Sequence, residues 1–299
     1  MSPSPSLWIP QMTRDGSYTF YSPDFGETFH SDLGAKAEAF EKFVHGTQIL
    51  ETAQTGSLRI LDVCYGLGYN TAAALSAIAL AQATQQLPPC QVEIMALELD
   101  ATVPQGALQA QCLASWPPPV QAQLTALAQT QHYQDDRHTL TLLLGDARHT
   151  LPAIVAQGWH ADAIFLDPFS PRRCPQLWTV EFLGYVAQAL APAGRLATYC
   201  RAAAVRSALQ TAGLHLGTLP LAQPSAPHHW AEGTIASFRA AALTPLSPLE
   251  QEHLHTRAAI PYRDPTLTDS AAAILQRRHQ EQQRSTLETT TQWRKRWGI

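Results

Sequence analysis

A glycine turn and two acidic residues in this sequence are spaced so that they can serve one ligand. Gly66 and Gly68 lie in DVCYGLGYN, between the apolar segment LRILDVC and the alanine-rich segment TAAALSAIALA. Glycine lets a chain turn sharply and approach a ligand closely, and a helix that follows offers unpaired N–H groups. Glu98 and Asp146 lie at the ends of the next two apolar segments, VEIMALELD and TLTLLLGD.

The chemistry of these acids suits a nucleoside. A carboxylate at the end of a second strand, here Glu98, can accept hydrogen bonds from both ribose hydroxyls. Asp146 can accept the amino group of adenine while a neighbouring backbone N–H, that of Ala147, donates to a ring nitrogen. Both also have a structural interpretation, Glu98 as a helix-start or surface acid and Asp146 as a helix N-cap. Asp100 is an alternative candidate for the ribose-binding role of Glu98. Their order along the chain favours a nucleoside cofactor, because ligands bind at the carboxyl ends of such strands.

The glycine pattern distinguishes between two nucleoside cofactors, NAD and S-adenosylmethionine. A dinucleotide site typically has GxGxxG, but the third glycine position is Thr71 in this sequence. The sequence therefore disfavours an NAD dehydrogenase and favours S-adenosylmethionine.

The segment DAIFLDPFSPRRCPQLW brings further chemistry to the same edge. Asp167 ends the fourth apolar strand, where a transferred group would lie, and Pro168 stiffens the loop that follows. Arg172 and Arg173 offer guanidinium groups suited to phosphate, or are solvated arginines of a turn. Trp178 stacks on a base or packs in the core, and the sequence leaves both possibilities open.

The elements that must position these residues alternate between strand and helix. We predict strands at 58–64, 92–100, 139–146, 162–167 and 194–200 and in LHLGTLP and GTIASFR, with helices at 31–44 and 178–190 among others. Ser31 or Asp32 is expected to cap the first helix, and residues 116–138 are expected to be a loop with some helix. This pattern predicts an α/β fold of the Rossmann-like class, with a mostly parallel twisted sheet and helices on both faces.

Composition narrows the function classes. The 299 residues are 45% hydrophobic and 15% charged with a net charge of −4, so any nucleic-acid contact must come from a local basic patch. The five cysteines form no CxxC pair, which argues against a zinc site and a disulfide scaffold. Without a signal-peptide pattern or a membrane-length apolar run, we expect a cytoplasmic protein with no membrane and no metal.

These motifs and the segments around them resemble a known family, the methyltransferase domain of the MnmC-type tRNA (5-methylaminomethyl-2-thiouridine) biosynthesis enzymes. The matching pieces run in order from Phe29 to Gly217: FHSDLGAKAEAFEKFVHGTQI, LDVCYGLGYNTAAAL, ASWPPP, LLGDARHTLP, DAIFLDPFSPRRCPQLW and APAGRLATYCRAAAVRSALQTAGLHLG. The resemblance implies methyl transfer from S-adenosylmethionine to the aminomethyl nitrogen of a wobble uridine in tRNA. It also implies a separate enzyme that supplies the aminomethyl uridine.

The resemblance also implies roles for individual residues. Cofactor contact is expected at Glu38, Asp62, Gly66, Gly68, Asn70, Glu98, Asp146, Ala147 and Asp167, and substrate contact at Pro168, Phe169, Arg172, Arg173 and Trp178. Asp167 is the expected catalytic residue and faces the amine, whereas Glu38 lies near the amino-acid end of the cofactor. Because an ordinary carboxyl group is a poor base for an alkylammonium, Asp167 is expected mainly to orient the amine.

The sequence departs from the family at two places and leaves other functions open. Pro168 stands where the family usually has Gly, and PSAPHHWAEGT replaces a basic stretch near the last strands. A methyltransferase for a protein or small amine would share the whole cofactor site, and an aminopropyl transferase would have a similar sheet. A nucleoside-binding module without catalysis is a third alternative, which the presence of Asp167 disfavours.

The chain divides into an N-terminal arm and helix at 1–50, a methyltransferase domain at 51–244 and a C-terminal extension at 245–299. Residues 257–299 contain eight Lys/Arg and four Asp/Glu, a net charge of +4. A helix capped by Asp269 is expected there, and Arg294, Lys295 and Arg296 lie between Trp293 and Trp297. Cations interleaved with aromatic residues predict a tRNA-binding surface, and the alternative is a helix that packs its tryptophans on the main domain.

Overall fold

The computed structural model describes residues 8–32, 34–219 and 232–299. Two short hairpins come first, β1 (Gln11–Met12) with β2 (Tyr18–Thr19) and β3 (Tyr21–Ser22) with β4 (Glu27–Thr28). The central sheet contains β5 (Ser57–Val63), β6 (Gln91–Glu98), β7 (His132–Gln134), β8 (His138–Leu144), β9 (Ala161–Leu166), β10 (Leu190–Thr198), β11 (His215–Thr218) and β12 (Thr234–Ser237). Its order is β11-β12-β10-β9-β5-β6-β8-β7.

The five inner strands β10, β9, β5, β6 and β8 are parallel, and β12, β11 and β7 add antiparallel pairs at the edges. Val63 at the end of β5 lies opposite Leu97 of β6 and Leu166 of β9. Because these strands end together, the segments that follow them meet at one edge of the sheet.

The α-helices are α1 (Ala35–Glu38), α2 (Ile49–Ala53), α3 (Tyr69–Ala83), α4 (Thr102–Gln109), α5 (Pro118–Thr130), α6 (Ala147–Ala156), α7 (Val180–Gln188), α8 (Ala203–Thr211), α9 (Pro248–His253), α10 (Ala271–Arg284) and α11 (Thr290–Trp297). A π-helical turn, Ala39–His45, continues α1, and 3₁₀ turns cover Pro175–Trp178, Ala240–Ala242 and Arg257–Ala259. Alternate residues of the inner strands pack into two hydrophobic cores, one on each face of the sheet. Ile60 and Phe165 pack on the side of α3 and α5, and Leu61 and Ile164 pack on the side of α6, α7 and α8. The predicted α/β class with helices on both faces is therefore confirmed.

The first predicted helix begins later than expected and is capped from a distance. It starts at Ala35, so Ser31 and Asp32 do not cap it, and Leu33 lies outside the described residues. Instead, Asp15 accepts a hydrogen bond from the Ala37 N–H at 2.9 Å, and the Ser17 hydroxyl accepts from the Ala35 N–H at 3.1 Å. At Gly34 (φ 152°) a Cβ would lie 2.5 Å from the Asp15 side chain, so the approach requires glycine.

Two other element predictions also change. The stretch 116–138, expected to be mainly loop, contains α5 and β7, and α5 has proline in its first turn, where a missing N–H leaves no helical bond unmade. Helix α10 is capped by Ser270 rather than Asp269, because the Ser270 hydroxyl accepts from the Ala273 N–H. The Asp269 carboxylate instead binds Arg277 at 2.7 Å.

The two tail tryptophans contact α9, Trp293 fully buried and Trp297 half-buried. Trp293 is fully buried and stacks on His253 of α9, with ring centroids 4.6 Å apart, and the Trp297 indole donates to Glu252 at 2.9 Å. Arg296 forms ion pairs with Glu252 and Glu288. Burial against α9 therefore excludes the Trp293 ring from a tRNA-binding surface, whereas Trp297 is half-buried and the tRNA-binding surface at the neighbouring cations stays a prediction.

Candidate active site

A cavity of about 220 Å³ lies at the carboxyl ends of β5, β6, β8 and β9. Of the residues predicted from sequence, those that line it are Gly66, Glu98, Asp146, Ala147, Asp167 and Phe169. The remaining predicted residues are not among its lining: Glu38, Asp62, Gly68, Asn70, Pro168, Arg172, Arg173 and Trp178. The structure thus brings together the three acids that follow successive strands, because those strands end at the same edge.

The turn after β5 has a backbone shape that few side chains tolerate. Gly66 and Gly68 have φ of 58° and 85°, and a Cβ at Gly68 would lie 2.4 Å from the Tyr65 hydroxyl. Cys64 also has a positive φ of 70°, an uncommon conformation for a residue with a side chain. The Cys64 and Tyr65 N–H groups both donate to the Leu97 carbonyl, which holds the turn against β6.

Glu98 is buried and clamps this turn from the neighbouring strand. One carboxylate oxygen accepts the Gly66 N–H at 2.8 Å, and the other accepts the Asp100 N–H at 2.9 Å. Burial nevertheless raises the pKa of Glu98 above its ordinary value. Each oxygen keeps a second lone pair, so Glu98 can still accept hydroxyl donors from a ligand in the cavity.

Asp146 serves as the N-cap of α6 and is also held by Arg148. Its carboxylate accepts the Arg148 N–H at 2.9 Å and the Arg148 guanidinium at 2.7 Å. Burial opposes ionisation, but the hydrogen bonds from Arg148 outweigh it and lower the pKa of Asp146. The structural interpretation of Asp146 as a cap is thus correct, and the same carboxylate also lines the cavity.

Asp167 is half-buried and lines the cavity at this edge. Its Oδ2 accepts a hydrogen bond from the Asn70 amide at 2.9 Å. Burial, followed by the negative charge of Glu38, raises the pKa of Asp167 to about 8, against the lowering effect of the Asn70 bond. Glu38 is itself paired with Lys42 one helical turn away. Glu38 and Asn70 therefore act on Asp167 without lining the cavity.

Asp62 lies behind the cavity, within β5. It is fully buried, and its Oδ2 accepts a hydrogen bond from the Thr71 hydroxyl at 2.7 Å. Its Oδ1 has no hydrogen-bond partner among the described residues. Burial is the main cause that raises the pKa of Asp62 to about 7.

The loop after β9 separates packing residues from exposed ones. Trp178 is fully buried and donates its indole N–H to the Phe169 carbonyl at 2.8 Å, so the structure supports core packing rather than base stacking. The Tyr199 hydroxyl donates to the Pro168 carbonyl at 2.8 Å, which fixes the loop from β10. Arg172 and Arg173 are exposed.

Residues 8–32 of the N-terminal arm supply one wall of the cavity, which the sequence did not indicate. Trp8, Phe25 and Phe29 line the cavity, and Phe25 stacks on Phe169 with ring centroids 4.4 Å apart. Glu27 binds the Ser170 N–H at 3.0 Å and ties the arm to the loop after β9. Other lining residues missed were Cys174, Gln176, Leu177 and Arg148. The aromatic content of residues 8–29 was the one available signal, but nothing in its spacing indicated where the arm would lie.

The polar groups of the cavity match those of an adenine nucleoside. Glu98 and Asp146 supply acceptors for hydroxyl and amino groups, and the Ala147 N–H lies in the first turn of α6, where helix N–H groups lack intrahelical partners. The Oε1 of Gln176, which also lines the cavity, is buried without a hydrogen-bond partner in the described structure. Aromatic and aliphatic walls complete a site that is apolar with a few polar groups, as nucleoside sites are.

No group of three or more His, Cys, Asp and Glu residues that could hold a metal ion is present in residues 8–32, 34–219 and 232–299. Over the same ranges, every helix is too short or too polar to span a membrane.

Comparison with known proteins identifies the fold and the family. Residues 106–223 match a family described as S-adenosyl-L-methionine-dependent methyltransferase. An uncharacterised protein of Methanocaldococcus jannaschii is 30% identical, and the match covers 67% of this chain and 52% of that protein. The bifunctional tRNA 5-methylaminomethyl-2-thiouridine biosynthesis protein MnmC of Azoarcus sp. is 33% identical, over 68% of this chain and 32% of that protein. The chain therefore spans about half of the first relative and about a third of the second.

A solved structure extends the likeness to nearly the whole chain. The crystal structure of MNMC2 from Aquifex aeolicus is 31% identical and superposes with a TM-score of 0.76, covering 95% of this chain and 87% of that one. This match includes the C-terminal extension as well as the sheet, and it confirms the resemblance drawn from the motifs. The chain belongs to the MnmC-type family of S-adenosylmethionine-dependent methyltransferases.

Proposed function

We propose that this protein methylates the nitrogen of the 5-aminomethyl group on the wobble uridine of tRNA. The observation that carries the proposal is Asp167, which is half-buried at the cavity beside Asn70 and is followed on the same loop by exposed Arg172 and Arg173. A group that can take hydrogen bonds from an amine is thus next to cations suited to a phosphate backbone.

In this proposal residues at the carboxyl edge of the sheet would hold the cofactor. Glu98 accepts the ribose hydroxyls, Asp146 accepts the adenine amino group and the Ala147 N–H donates to the adenine ring. Gly66 and Gly68 allow the backbone to approach the cofactor closely. Glu38, Asp62 and Asn70 would lie near the amino-acid end of the cofactor.

S-adenosylmethionine supplies an electrophilic methyl group when bound. The protein's part is to hold the amine in line with that methyl group, and positioning of this kind removes much of the barrier. Asp167 accepts a hydrogen bond from the amine and fixes its direction. Its pKa of about 8 is much nearer to that of an alkylammonium than an ordinary carboxyl group is, so Asp167 can also accept the proton.

The tRNA substrate and its supply extend the proposal. The relatives named for tRNA 5-methylaminomethyl-2-thiouridine biosynthesis are bifunctional proteins, and this chain matches about a third of one of them. We propose that a separate enzyme supplies the aminomethyl uridine, and that both act in the cytoplasm, where tRNA is abundant.

The direct test is methylation of tRNA by the purified protein. tRNA from cells that lack the protein is incubated with it and S-adenosylmethionine, and the digested nucleosides are measured by mass spectrometry. We expect the 5-aminomethyl uridine to gain one methyl group. Methylation of polyamines or proteins under the same conditions, with tRNA unchanged, would favour the small-amine or protein alternative instead.

Exposed arginines near the cavity should contribute to tRNA affinity through phosphate contacts. A plot of log affinity against log salt concentration has a negative slope, and each phosphate contact that is lost should make that slope less steep by about one unit. We therefore expect the double variant Arg172→Ala/Arg173→Ala to have a slope that is less steep by about two units in a filter-binding titration. Arg59→Ala is the matched control, since Arg59 is paired with Glu93 on β5 and β6, away from the carboxyl edge. Equal slopes for all three proteins would remove these arginines from the tRNA surface.

A further inference from the structure

Arg148 connects the cavity to the C-terminal extension, residues 245–299. Its guanidinium binds the Asp146 carboxylate at 2.7 Å on one side. On the other side, its Nη1 donates to the Asp264 carboxylate and to the Asp269 carbonyl, each at 3.0 Å. One side chain thus joins residues that are more than a hundred positions apart in the sequence.

Asp264 is built to hold this guanidinium in one place. It is fully buried, and the Arg148 side chain is 13% exposed. The second oxygen of Asp264 accepts the N–H groups of Thr268 and Asp269, each at 3.1 Å, and its own N–H donates to Glu181 at 2.7 Å. With both oxygens and the backbone engaged, Asp264 has little freedom to move away from Arg148.

The same part of the extension supports the opposite wall of the cavity. The Tyr262 carbonyl accepts the Val180 N–H at 3.0 Å, directly after the 3₁₀ turn Pro175–Trp178. Gln176 and Leu177 of that turn line the cavity. The extension therefore contacts both segments that enclose the end of the cavity near Asp146.

We propose that Asp264 is a positioning residue for recognition of the adenine base, which acts through Arg148 by fixing the Asp146 carboxylate toward the cavity. The inference rests on the proposed role of Asp146 as acceptor of the adenine amino group. Without Asp264, Arg148 loses the partner that sets its direction, and the carboxylate that it holds gains rotational freedom. Part of the hydrogen bond to adenine is then lost even though Asp146 itself is intact.

Binding of two ligands that differ only at the adenine amino group tests this inference. S-adenosylhomocysteine carries that amino group, and its unsubstituted purine analogue has a hydrogen atom in its place, so the ring nitrogens are the same in both. We expect the wild type to prefer S-adenosylhomocysteine by at least about tenfold in calorimetric titrations, because a site built to bind a donor N–H rejects an analogue that lacks it. Asp264→Asn keeps the shape but removes the charge, and it should reduce that preference by about three- to tenfold.

A second variant and a control separate positioning from folding. Arg148→Lys keeps a cation but loses the fork that spans two carboxylates, so it should reduce the preference similarly. Glu281→Gln breaks the exposed Arg263–Glu281 pair of the same extension and should leave the preference unchanged. Thermal melting measures the stability of each variant.

The outcomes are distinct. A preference that is unchanged in Asp264→Asn and Arg148→Lys, with or without a lower melting temperature, overturns the inference and leaves a purely structural contact. A wild type that binds both ligands equally overturns the assignment of Asp146 and the inference with it. A wild type that binds neither ligand overturns the proposed cofactor site, so failure at that level is recognised separately.

Discussion

Replacing Asp167 with Asn is expected to lower kcat for tRNA methylation by about 10²–10⁴-fold, the range typical for loss of a positioned acid–base group. Asn has the same shape and can present its carbonyl to the Asn70 amide, which donates to Asp167 at 2.9 Å. The change therefore removes the negative charge and the proton acceptor while the packing stays. Affinity for S-adenosylmethionine should change by no more than about threefold, because the interaction is made mainly with the reacting amine.

Single-turnover rates and calorimetric binding measure the two quantities separately. Asp162→Asn is a suitable control because Asp162 lies on β9 toward its other end, where it accepts the Arg59 N–H at 2.9 Å. It should leave kcat unchanged. Losses of equal size in turnover and cofactor affinity for Asp167→Asn would assign Asp167 to cofactor support.

The pH dependence of this reaction follows from the same residue. Burial and the charge of Glu38 raise the pKa of Asp167 to about 8, so the carboxyl group is mainly protonated at neutral pH in the free protein. The form that can accept a proton grows as pH rises, and kcat/KM should climb roughly tenfold per pH unit until about pH 8. An ordinary carboxyl group would give a flat profile there. The Asp167→Asn profile should retain only the titration of the amine itself.

Replacing Glu250 with Ala is expected to destabilise the protein by about 3–5 kcal/mol, the usual effect of removing one partner from a buried ion pair. Arg206 of α8 and Glu250 of α9 are 3.0 Å apart, and their side chains are 1% and 2% exposed. Arg206 also donates to the Thr234 hydroxyl and the Gly233 carbonyl. Loss of Glu250 leaves the guanidinium charge buried with only neutral partners, and burial already lowers the pKa of Arg206.

Urea unfolding followed by circular dichroism measures the change. Glu250 also takes part in the capping box of α9, so Ser247→Ala is needed to isolate the cap, whose loss costs about 1 kcal/mol. Glu281→Ala breaks an ion pair whose side chains are 42% and 36% exposed and should cost no more than about 1 kcal/mol. A Glu250→Ala effect no larger than these two would show that the buried pair contributes little.

The sequence was sufficient to predict seven of the eight strands of the central sheet and the three acids at its edge. Buried parallel strands are continuous apolar runs, and Glu98, Asp146 and Asp167 follow three of them, so their meeting is a consequence of topology. The turn at Gly66 and Gly68 was predictable for the same reason, since the requirement for positive φ is local.

What the sequence could not indicate depends on contacts between distant segments. Asp15 caps a helix that begins twenty residues later, and Arg148 meets Asp264 across 116 positions. Cations interleaved with aromatic residues suggested that Trp293 belongs to a nucleic-acid surface, but its ring is fully buried against α9. The pKa of Asp167 was also out of reach, because the burial and the neighbouring Glu38 that raise it are properties of the folded chain.

The bond between Arg148 and Asp264 also determines when, during synthesis of the chain, the cavity wall beside Asp146 can be completed. A chain that emerges from the ribosome has every strand of the sheet once Ser237 is free, and domains generally fold as they appear. Arg148 has to wait for Asp264 before the wall beside Asp146 is complete. A product of early termination between these two points would therefore carry the whole sheet and yet lack the Asp264 partner of Arg148 beside the cavity.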